Sequence, residues 1–554
     1  MSAPVVAGIN FGHDGGAAII TEHTMVAIGE ERLNRTRYSP GWQAALLYCL
    51  QATGLTIADI DLVGISGLGH TPPAPAMTGL HHLGVDESRI LAVDHHLSHA
   101  YTAYSLGPFK KTTVLVVDGA GNHGDTETVY HATPDGIVRV EGTPPDRPRA
   151  GGIGATYEAF TNWIGWHEQE AGKTMALAAY SRPDTTIAPL FQVDGVHVRG
   201  ALTHTHTRGV AEFAARTGAD FGPPGTRGQN LGGADAAAYL QHHTEAVLVQ
   251  LAAAAVDLTG EPRLAMAGGV ALNCVANEAI RRSATGVRDL FVPPPASDRG
   301  QALGNALAMW HHATGEVPRR PLAADSFGRT YSDTEIEAAL RRHPASGLVE
   351  RQRAPFSWRR ESDIARTAAQ LIADGRLVGW YQGGAELGPR ALGHRCILAD
   401  PRTPTSREAL NLRIKHRETF RPFAPAVLAD QADDWFTPRA RASRLSPFML
   451  GAPHVRPARI ERVPAVAHVD GTARAQTVHP AHEPLFAALL TEFGRLTGVP
   501  MVLSTSFNDT EPIVETPAHA LATFQATGLD ALCIGDHLVE KVPVREDGLH
   551  DHHS

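Results

Sequence analysis

The sequence predicts a two-domain α/β protein, with a large N-terminal domain over residues 1–345 and a smaller domain over residues 360–554. Three observations support this prediction. The chain has 554 residues, which is more than one hydrophobic core normally organises. Short apolar runs alternate with helical patterns along both parts, as in α/β folds. A stretch rich in Pro, Arg and Ala precedes the second part, and we place an interdomain linker at residues 346–359.

The first domain is predicted to open with three strands, VVAGIN, AAIIT and MVAIGE, joined by tight turns. AALLYCLQATG then predicts a helix that ends at Gly54, since glycine readily adopts the left-handed conformation that closes a helix. DLVGIS, ILAV and TTVLVVD predict further strands. A long helix follows, and the strands PRLAMAGG and DLFVPP flank the helix VALNCVANEAIRRS. The second domain starts with the helix DIARTAAQLIADG and the strand RLVGWYQ. We see no internal sequence repeat.

The composition indicates a soluble, cytoplasmic protein. The formal net charge is −9, which argues against a nucleic-acid-binding surface. The best apolar run, residues 247–258, is interrupted by Gln250 and Asp257, so we expect no membrane span. The N-terminus lacks the pattern of a signal peptide. The 4 cysteines form no CxxC pair, which predicts neither disulfides nor a thiolate zinc site.

Three predicted strands run into small-residue turns that suit a nucleotide: VVAGINFGHDGGAA, VLVVDGAGN and LAMAGGVALN. Glycine lets backbone N–H groups approach phosphate oxygens closely. Asp14 and Asp118 are placed to hold a metal ion or orient water beside a phosphate. In this order the turns resemble those of actin-like, ribonuclease-H-like ATPases, which include sugar kinases and chaperone ATPases. The candidate nucleotide-binding residues are Gly119, Gly121, Lys173, Gly268, Gly269 and Asn273, with a solvated loop position as the alternative for the lysine.

The segment VDHHLSHAYTAY is a candidate metal site. On a helix, His95 and His99 lie on one face because they are four residues apart, whereas His96 points away. Asp118 and Asp298 are the candidate carboxylates, because each lies where a strand or loop ends at a crevice. Two imidazoles with carboxylates suit iron, zinc or manganese. In a chain with 30 histidines, a chance pair on a solvated helix is the alternative.

Long motifs in a fixed order resemble those of one family. The N-terminal part carries EERLNRTR, HHLSH, VVDGAG, AGKTMALAAY, AGGVALN and FVPPPASDRGQALGNA. The C-terminal part carries GAELGPRALGHRCILAD, NLRIKHRETFRPFAPAVL, ARAQTV and STSFNDTEPIV. This pattern resembles the bacterial O-carbamoyltransferases, which include the tobramycin, cephalosporin and nodulation-factor enzymes. The resemblance covers essentially the whole chain.

The resemblance implies an N-terminal domain similar to the universal tRNA threonylcarbamoyl-transferase subunit and a C-terminal YrdC-like domain. In that family the YrdC-like domain activates carbamoyl phosphate with ATP as carbamoyl-adenylate. The N-terminal domain then transfers the carbamoyl group to an acceptor hydroxyl and releases AMP. For this chain the implied acceptor is a natural product such as a sugar, macrolide, aminoglycoside or cephem. The implied metal is Fe(II), with Zn, Mn or Mg as alternatives.

The resemblance also assigns site residues by position. His95, His99, Asp118 and Asp298 match the metal ligands. His13 matches the general base, with Asp14 beside it as a second catalytic residue. An imidazole pKa of about 6.5 suits that role at operating pH, and a turn hydrogen bond is the alternative. The residues that match the carbamoyl-phosphate and ATP site of the second domain are Arg390, Lys415, Arg421, Arg474, Ser506 and Asn508.

The chemistry of the second domain agrees with these matches. Arginine binds phosphate with a bidentate fork, and lysine supplies a compact point charge. Only 5 of the 49 basic residues are lysines, which makes Lys415 more informative. The alternative for the arginines is a set of surface ion pairs. Other function classes are a tRNA-modifying threonylcarbamoyl transferase and a non-carbamoylating actin-like ATPase or sugar kinase. The acidic balance disfavours the first, and the second has no need of the C-terminal motifs.

Overall fold

The computed structural model describes residues 3–67, 73–144, 149–342, 355–437 and 443–542. Within these ranges it shows two α/β regions, each built around a large hydrophobic core, in agreement with the predicted fold class. The Cys49, Cys274, Cys396 and Cys533 thiols are all buried and free, as expected. None of the described helices combines the length and apolarity needed to cross a lipid bilayer.

The N-terminal region opens with a five-stranded sheet in the order β3-β2-β1-β4-β5. The first three strands are antiparallel, and β4 and β5 run parallel to the central strand β1. The second helix ends at Gly54, whose φ is 69°, as predicted. The elements are β1 (Val6–Asn10), β2 (Gly16–Ile20), β3 (Met25–Gly29), α1 (Glu30–Asn34), α2 (Gln43–Thr53), β4 (Leu62–Ser66), α3 (Ala74–His82), β5 (Ile90–Val93) and α4 (His95–Leu106).

A second five-stranded sheet, in the order β8-β7-β6-β11-β12, repeats this topology. Its first three strands are antiparallel, and β11 and β12 run parallel to β6. The region is therefore a structural duplication, which is the actin-like architecture that the glycine turns predict. The elements are β6 (Thr112–Val117), β7 (Glu127–Thr133), β8 (Gly136–Gly142), α5 (Ile153–Ile164), α6 (Ala171–Leu177), β9 (Phe191–Asp194), β10 (His197–Gly200), α7 (His206–Thr217), α8 (Ala234–Thr259), β11 (Arg263–Ala267), α9 (Cys274–Ser283), β12 (Asp289–Phe291) and α10 (Gln301–Thr314).

Helices α4 and α10 lie between the two sheets. Helix α4 follows the first sheet and packs on β6 and β11 of the second, while α10 follows the second sheet and packs on β1, β2 and β4 of the first. Glycine permits this close approach, because Gly8 and Gly64 lie side by side on the sheet and face α10. A Cβ at Gly8 would overlap the backbone of Ala302 and Ala306. The N-termini of both helices consequently meet in the crevice between the sheets.

The C-terminal region is a mixed eight-stranded sheet in the order β13-β22-β21-β14-β15-β20-β16-β19, flanked by helices. A π-helical turn, Asn411–Lys415, extends the helix α13. Such turns are rare and frequently mark functional positions. The elements are α11 (Asp333–Arg342), β13 (Phe356–Arg360), α12 (Ile364–Ala373), β14 (Val378–Tyr381), β15 (Arg395–Ala399), α13 (Pro404–Leu410), β16 (Ala424–Leu428), β17 (Phe436–Thr437), β18 (His454–Val455), β19 (Gln476–Val478), α14 (Pro484–Thr497), β20 (Met501–Ser506), α15 (Pro517–Ala526), β21 (Ala531–Ile534) and β22 (His537–Lys541).

The predicted boundary between the regions differs from the structure at two points. Ile336 and Leu340 of α11, placed in the first domain by the boundary at residue 345, belong to the C-terminal core. Residues 356–359 of the predicted linker 346–359 lie in β13, which pairs with β22. This edge strand is largely exposed, and its polar residues therefore resemble the composition of an interdomain linker. The rest of the predicted linker up to residue 354 lies outside the described residues.

We predict that Gly8→Val destabilises the protein, because the new side chain would overlap the backbone of α10. Overpacking of this kind typically costs roughly 1–3 kcal/mol, which would lower the Tm by about 2 °C or more. The matched control is Gly136→Val, where a Cβ meets nothing within 4 Å. Thermal unfolding of both variants tests the close approach, and a Gly8→Val Tm equal to that of the wild type would contradict it.

Candidate functional site

Four predicted ligand residues meet in the crevice between the two sheets. His95 and His99 stand one turn apart on α4, and Asp118 directly follows β6. Asp298 starts the short 3-10 turn Asp298–Gly300 that leads into α10. The Nε2 atoms of both histidines lie 2.9–3.3 Å from Asp118 Oδ2 and Asp298 Oδ1. One donor atom from each residue lies within 4.8 Å of all the others. Two imidazole nitrogens and two carboxylate oxygens in this arrangement fit a divalent transition metal ion.

The two carboxylates dominate the electrostatics of this cluster. Burial alone would lower the pKa of His95, but Asp298 and Asp118 overcome that effect and raise the pKa to about 10. Burial also opposes ionisation of both carboxyls, yet the histidines hold their pKa values well below the usual range. Without a cation the carboxylates therefore retain protons on the imidazoles. A metal ion would take the place of those protons.

Asp118 connects the cluster to the glycine turns. Its Oδ1 accepts hydrogen bonds of 2.9 Å from the backbone N–H groups of both Gly119 and Gly269. The N–H of Gly121 donates to the Asp125 carbonyl oxygen. The N–H of Gly268 donates likewise to a carbonyl oxygen of the loop before α10. All four glycine amides thus donate to acceptors within the protein, in place of the phosphate oxygens for which they were candidates. The bond from Gly269 to Asp118 joins the turns after β6 and β11.

The other two predicted nucleotide residues also have protein partners. Asn273 accepts from the N–H of Ala276 at the start of α9 and exchanges two hydrogen bonds with Gln241 of α8. Lys173 forms salt bridges of 2.6 Å to Glu170 and 2.9 Å to Glu418 of the C-terminal region. The structure therefore places Lys173 at the interface between the two regions.

His13 lies beside the metal cluster. It is half-exposed, with Nε2 3.5 Å from Asp298 Oδ2 and Nδ1 3.8 Å from Asp14 Oδ2. Asp14 adopts a left-handed backbone conformation with φ 58° and binds Arg299, which also pairs with Glu31. The side-chain N–H of Asn10 donates to backbone carbonyls of this turn and of Asp298. These contacts hold the imidazole over the metal ligands.

The expectation of an ordinary imidazole pKa at His13 is wrong for this arrangement. The carboxylate of Asp14 raises that pKa, burial opposes the change, and Asp298 adds to it, so the pKa reaches about 9. His13 is therefore protonated at neutral pH while both carboxylates keep their charge. Any group that neutralises Asp298 would favour the neutral imidazole, because it removes part of this field.

A cavity of about 370 Å³ lies between the two regions. Helices α6 and α8 of the N-terminal region contribute Gly172 and His242 to its lining, and Cys274 stands at the start of α9. The C-terminal side is strongly basic. It carries Arg390, Arg417, Arg421, Arg474 and Ser506.

Glu245 and Asp470 also line the cavity, but neither forms a salt bridge with these guanidinium groups in the described chain. Arg390 and Arg474 form no salt bridge with any carboxylate of the described chain, and the Nε atoms of Arg390, Arg417 and Arg474 are buried without a hydrogen-bond acceptor there. Burial first, and then the neighbouring Arg474, lowers the pKa of Arg390 to about 9. Arg421 has one carboxylate within reach, Glu418 at 3.7 Å. Buried cations without counter-ions are costly, so the cavity is suited to an anionic ligand.

Lys415, Ser506 and Asn508 form a cluster at the C-terminal side of the cavity, and Ser506 is the member that lines it. The buried ammonium of Lys415 donates to the carbonyl oxygens of Ser506 and Asn508, both at 2.7 Å, and to Asn508 Oδ1 at 2.8 Å. Ser506 Oγ in turn donates to Asn508 Oδ1. Burial, followed by repulsion from Arg417, holds the pKa of Lys415 well below its usual range. The three residues that the sequence grouped do lie together, and their ammonium is held among neutral oxygens.

Sequence reasoning missed two residues of these sites. Arg299 immediately follows the metal-ligand candidate Asp298, and Arg417 lies two residues after Lys415 within RIKHRE. Their motifs had been singled out, but the individual side chains had not. Each arginine lies within two residues of a candidate site residue, Asp298 or Lys415, and this proximity in the sequence could have identified both.

Comparisons with known proteins agree with the sequence motifs. The carbamoyltransferase N-terminus model matches residues 76–307, and the carbamoyltransferase C-terminus model matches residues 369–541. Nodulation protein NolNO of Sinorhizobium fredii is 34% identical, over 96% of this chain and 79% of that protein. Nodulation protein NolO of Bradyrhizobium diazoefficiens is 34% identical, over 81% of this chain and 79% of that protein.

Among solved structures, full-length HypF in its phosphate- and nucleotide-bound form is 10% identical, with a TM-score of 0.38, over 57% of this chain and 47% of that chain. That overlap is too small to carry a functional comparison. The sequence relatives extend across both regions, and the family models match each region separately. This chain therefore belongs to the carbamoyltransferase family and is a carbamoyltransferase.

Proposed function

We propose that this enzyme is an ATP-dependent O-carbamoyltransferase that carbamoylates a hydroxyl group of a secondary metabolite in the cytoplasm. The C-terminal region would activate carbamoyl phosphate as carbamoyl-adenylate, and the N-terminal region would transfer the carbamoyl group. The observation that carries the proposal is the interdomain cavity, where Arg390, Arg417, Arg421 and Arg474 meet with one carboxylate within salt-bridge distance.

The cavity suits the phosphates of both proposed substrates. Carbamoyl phosphate is a small dianion, and ATP brings a triphosphate. Guanidinium groups bind phosphate oxygens bidentately and remain charged in a buried setting more readily than ammonium does. Ser506 lines the cavity at the end of β20, and Lys415 and Asn508 hold its hydroxyl. It is placed to orient a small amide-like group.

The proposed activation step has a defined balance. Carbamoyl phosphate and water give carbamate and inorganic phosphate. A carbamate oxygen then attacks the α-phosphorus of ATP, and the bond to the leaving pyrophosphate breaks. The product is a mixed anhydride of carbamate and AMP. Anionic oxygens carry the charge throughout, so fixed arginines that require no rearrangement can stabilise it.

His95, His99, Asp118 and Asp298 would hold a divalent cation, for which we propose Fe(II), with Zn, Mn or Mg as alternatives. Their nitrogen and oxygen donors match the borderline preferences of such ions. When bound, the cation would offset negative charge on the carbonyl oxygen or phosphate of the adenylate.

His13 would act as the base of the transfer step, with Asp14 orienting it. The neutral imidazole takes the proton of the acceptor hydroxyl, the hydroxyl oxygen attacks the carbamoyl carbon, and AMP leaves with the bonding electrons. The location of His13 beside the metal ligands supports this role, since the base and the activated carbonyl must meet within hydrogen-bond reach. The carboxylate of Asp298 raises the pKa of His13. A cation bound to Asp298 would offset this effect and so favour the neutral imidazole that the base must be.

A tRNA-modifying threonylcarbamoyl transferase and an actin-like kinase remain the competing functions. The first needs a basic surface for a phosphate backbone, whereas this chain has a net charge of −9. The second has no use for a basic cavity contributed by a second region.

The reaction products distinguish these functions. We expect the wild-type enzyme, given ATP, carbamoyl phosphate and a mixture of hydroxyl acceptors that includes sugars, to form AMP, pyrophosphate and inorganic phosphate, because adenylation breaks the α–β bond of ATP and transfer or hydrolysis of the adenylate releases AMP. Product analysis by ion-exchange chromatography measures this. Formation of ADP with a phosphorylated sugar would reject the proposal in favour of a kinase.

We predict that Lys415→Met lowers the rate of AMP formation by at least about tenfold while the fold is retained. The ammonium holds Ser506 and Asn508 together, and methionine fills its volume without a charge. The matched control is Lys111→Met, an exposed lysine, which should leave AMP formation unchanged. Circular dichroism checks the fold, and undiminished AMP formation in a folded Lys415→Met would contradict the assigned role.

We predict that His95→Ala and Asp298→Ala each lose the bound metal, from about one ion per chain to near zero, because each removes one of four donors. Elemental analysis after equilibration with Fe(II) and gel filtration measures the content. His312→Ala, at an exposed position of α10, is the control. Unchanged metal content in both ligand variants would refute the site.

A further inference from the structure

One segment of the C-terminal region joins the basic cavity to the N-terminal region. We call residues 416–423 the bridging segment. It begins at His416, which has a φ of 44°, and continues into β16. Arg417 and Arg421 of this segment line the cavity. Glu418 and Phe420, which lie between and beside them, contact the N-terminal region instead.

Phe420 is inserted into an apolar pocket of the N-terminal region. It is 4% exposed and belongs to a core cluster whose other buried members, including Trp166 and Leu177, come from that region. Its ring centroid lies 5.8 Å from that of Trp166 and 6.3 Å from that of Tyr180. A Cβ at Gly228 would lie 2.6 Å from the Phe420 ring, so this glycine makes room for it.

A salt bridge beside this pocket holds the same segment. Lys173 of α6 lies 2.9 Å from Glu418, whose other carboxylate oxygen faces Arg421 at 3.7 Å. Burial opposes the charge of Glu418, but Lys173 and Arg421 keep the pKa of that carboxyl below its usual range. The N-terminal region therefore reaches Arg421 through Lys173 and Glu418.

The remaining contacts of the two arginines are few. Arg417 donates to the carbonyl oxygen of Pro422 and stacks over Phe423, both within the bridging segment or at its end. Arg421 has Glu418 as its carboxylate partner within the described chain. Among the described residues, neither guanidinium pairs with a carboxylate of the C-terminal region outside the bridging segment. Asn411 and His468 of that region bond to backbone carbonyls of the segment, so the positions of the guanidinium groups depend on how the bridging segment is held.

We propose that Phe420 and Lys173 are positioning residues through which the N-terminal region sets the affinity of the cavity for phosphate-bearing ligands. This inference rests on the anion site of the proposed function. It gives Lys173 a role that the glycine-turn interpretation did not supply. It also means that the anion site is complete only when both regions are present, because the ring of Phe420 and one carboxylate oxygen of Glu418 contact residues of the N-terminal region.

Binding of inorganic pyrophosphate by isothermal titration calorimetry tests the proposal on the full-length chain. We expect Phe420→Ala and Lys173→Met each to weaken binding by about tenfold or more, with metal content unchanged. Phe420→Leu, which keeps an apolar anchor, and Lys173→Arg, which keeps the charge, should restore most of the affinity. Glu418→Gln combined with Lys173→Met should weaken binding little further than Lys173→Met alone, since both changes remove the same salt bridge.

Phe448→Ala is the matched control. Phe448 is also a 4% exposed phenylalanine of the C-terminal region that packs into the N-terminal core, but it contacts Phe291 and lies outside the bridging segment. It should leave pyrophosphate affinity within about twofold of the wild type. Unchanged affinity in both Phe420→Ala and Lys173→Met would overturn the inference, as would equal weakening by Phe448→Ala. Failure of the wild type to bind pyrophosphate would instead reject the anion site itself.

Discussion

The carboxylate of Asp118 is the contact on which the arrangement of the N-terminal region depends. One oxygen faces the Nε2 atoms of His95 and His99, and the other accepts the N–H groups of Gly119 and Gly269. A single side chain thus joins α4 to the turns after two strands of the second sheet. The Asp118 carboxylate tolerates burial because both of its oxygens accept hydrogen bonds. The close helix packing at Gly8 and Gly304 brings Asp298 to the same point.

The two halves of the proposed reaction lie in opposite electrostatic settings. In the crevice, histidines and carboxylates are balanced, and a cation can replace the protons. In the interdomain cavity, arginines converge with little compensation, so the resting protein carries unfavourable repulsion that an anion would relieve. Such pre-arranged charge costs stability in the free protein and needs no rearrangement when a charged ligand arrives.

Sequence patterns predicted most strands, the α/β class and the grouping of both sites, because these depend on local periodicity and on long motifs. The four metal-ligand candidates meet as expected, and Lys415 lies with Ser506 and Asn508. What the sequence missed is set by tertiary contacts. The duplication of the sheet is not visible as a sequence repeat. A shared topology fixes the order and direction of the strands, whereas the side chains on them can differ. The pKa of His13 depends on Asp298, 285 positions away in the chain, and the N–H groups of Gly268 and Gly269 have partners in turns that are distant in the sequence.

The insertion of Phe420 into the N-terminal region has a consequence for how the chain is made. The pocket walls, Trp166 and Tyr180, leave the ribosome about 250 residues before Phe420, which at roughly 5–20 residues per second is a delay of about 10–50 s. During that interval the nascent N-terminal region displays an unfilled aromatic surface. Completion of the C-terminal region covers this surface. The phenylalanine that positions the arginines therefore also buries an aggregation-prone aromatic surface at the end of synthesis.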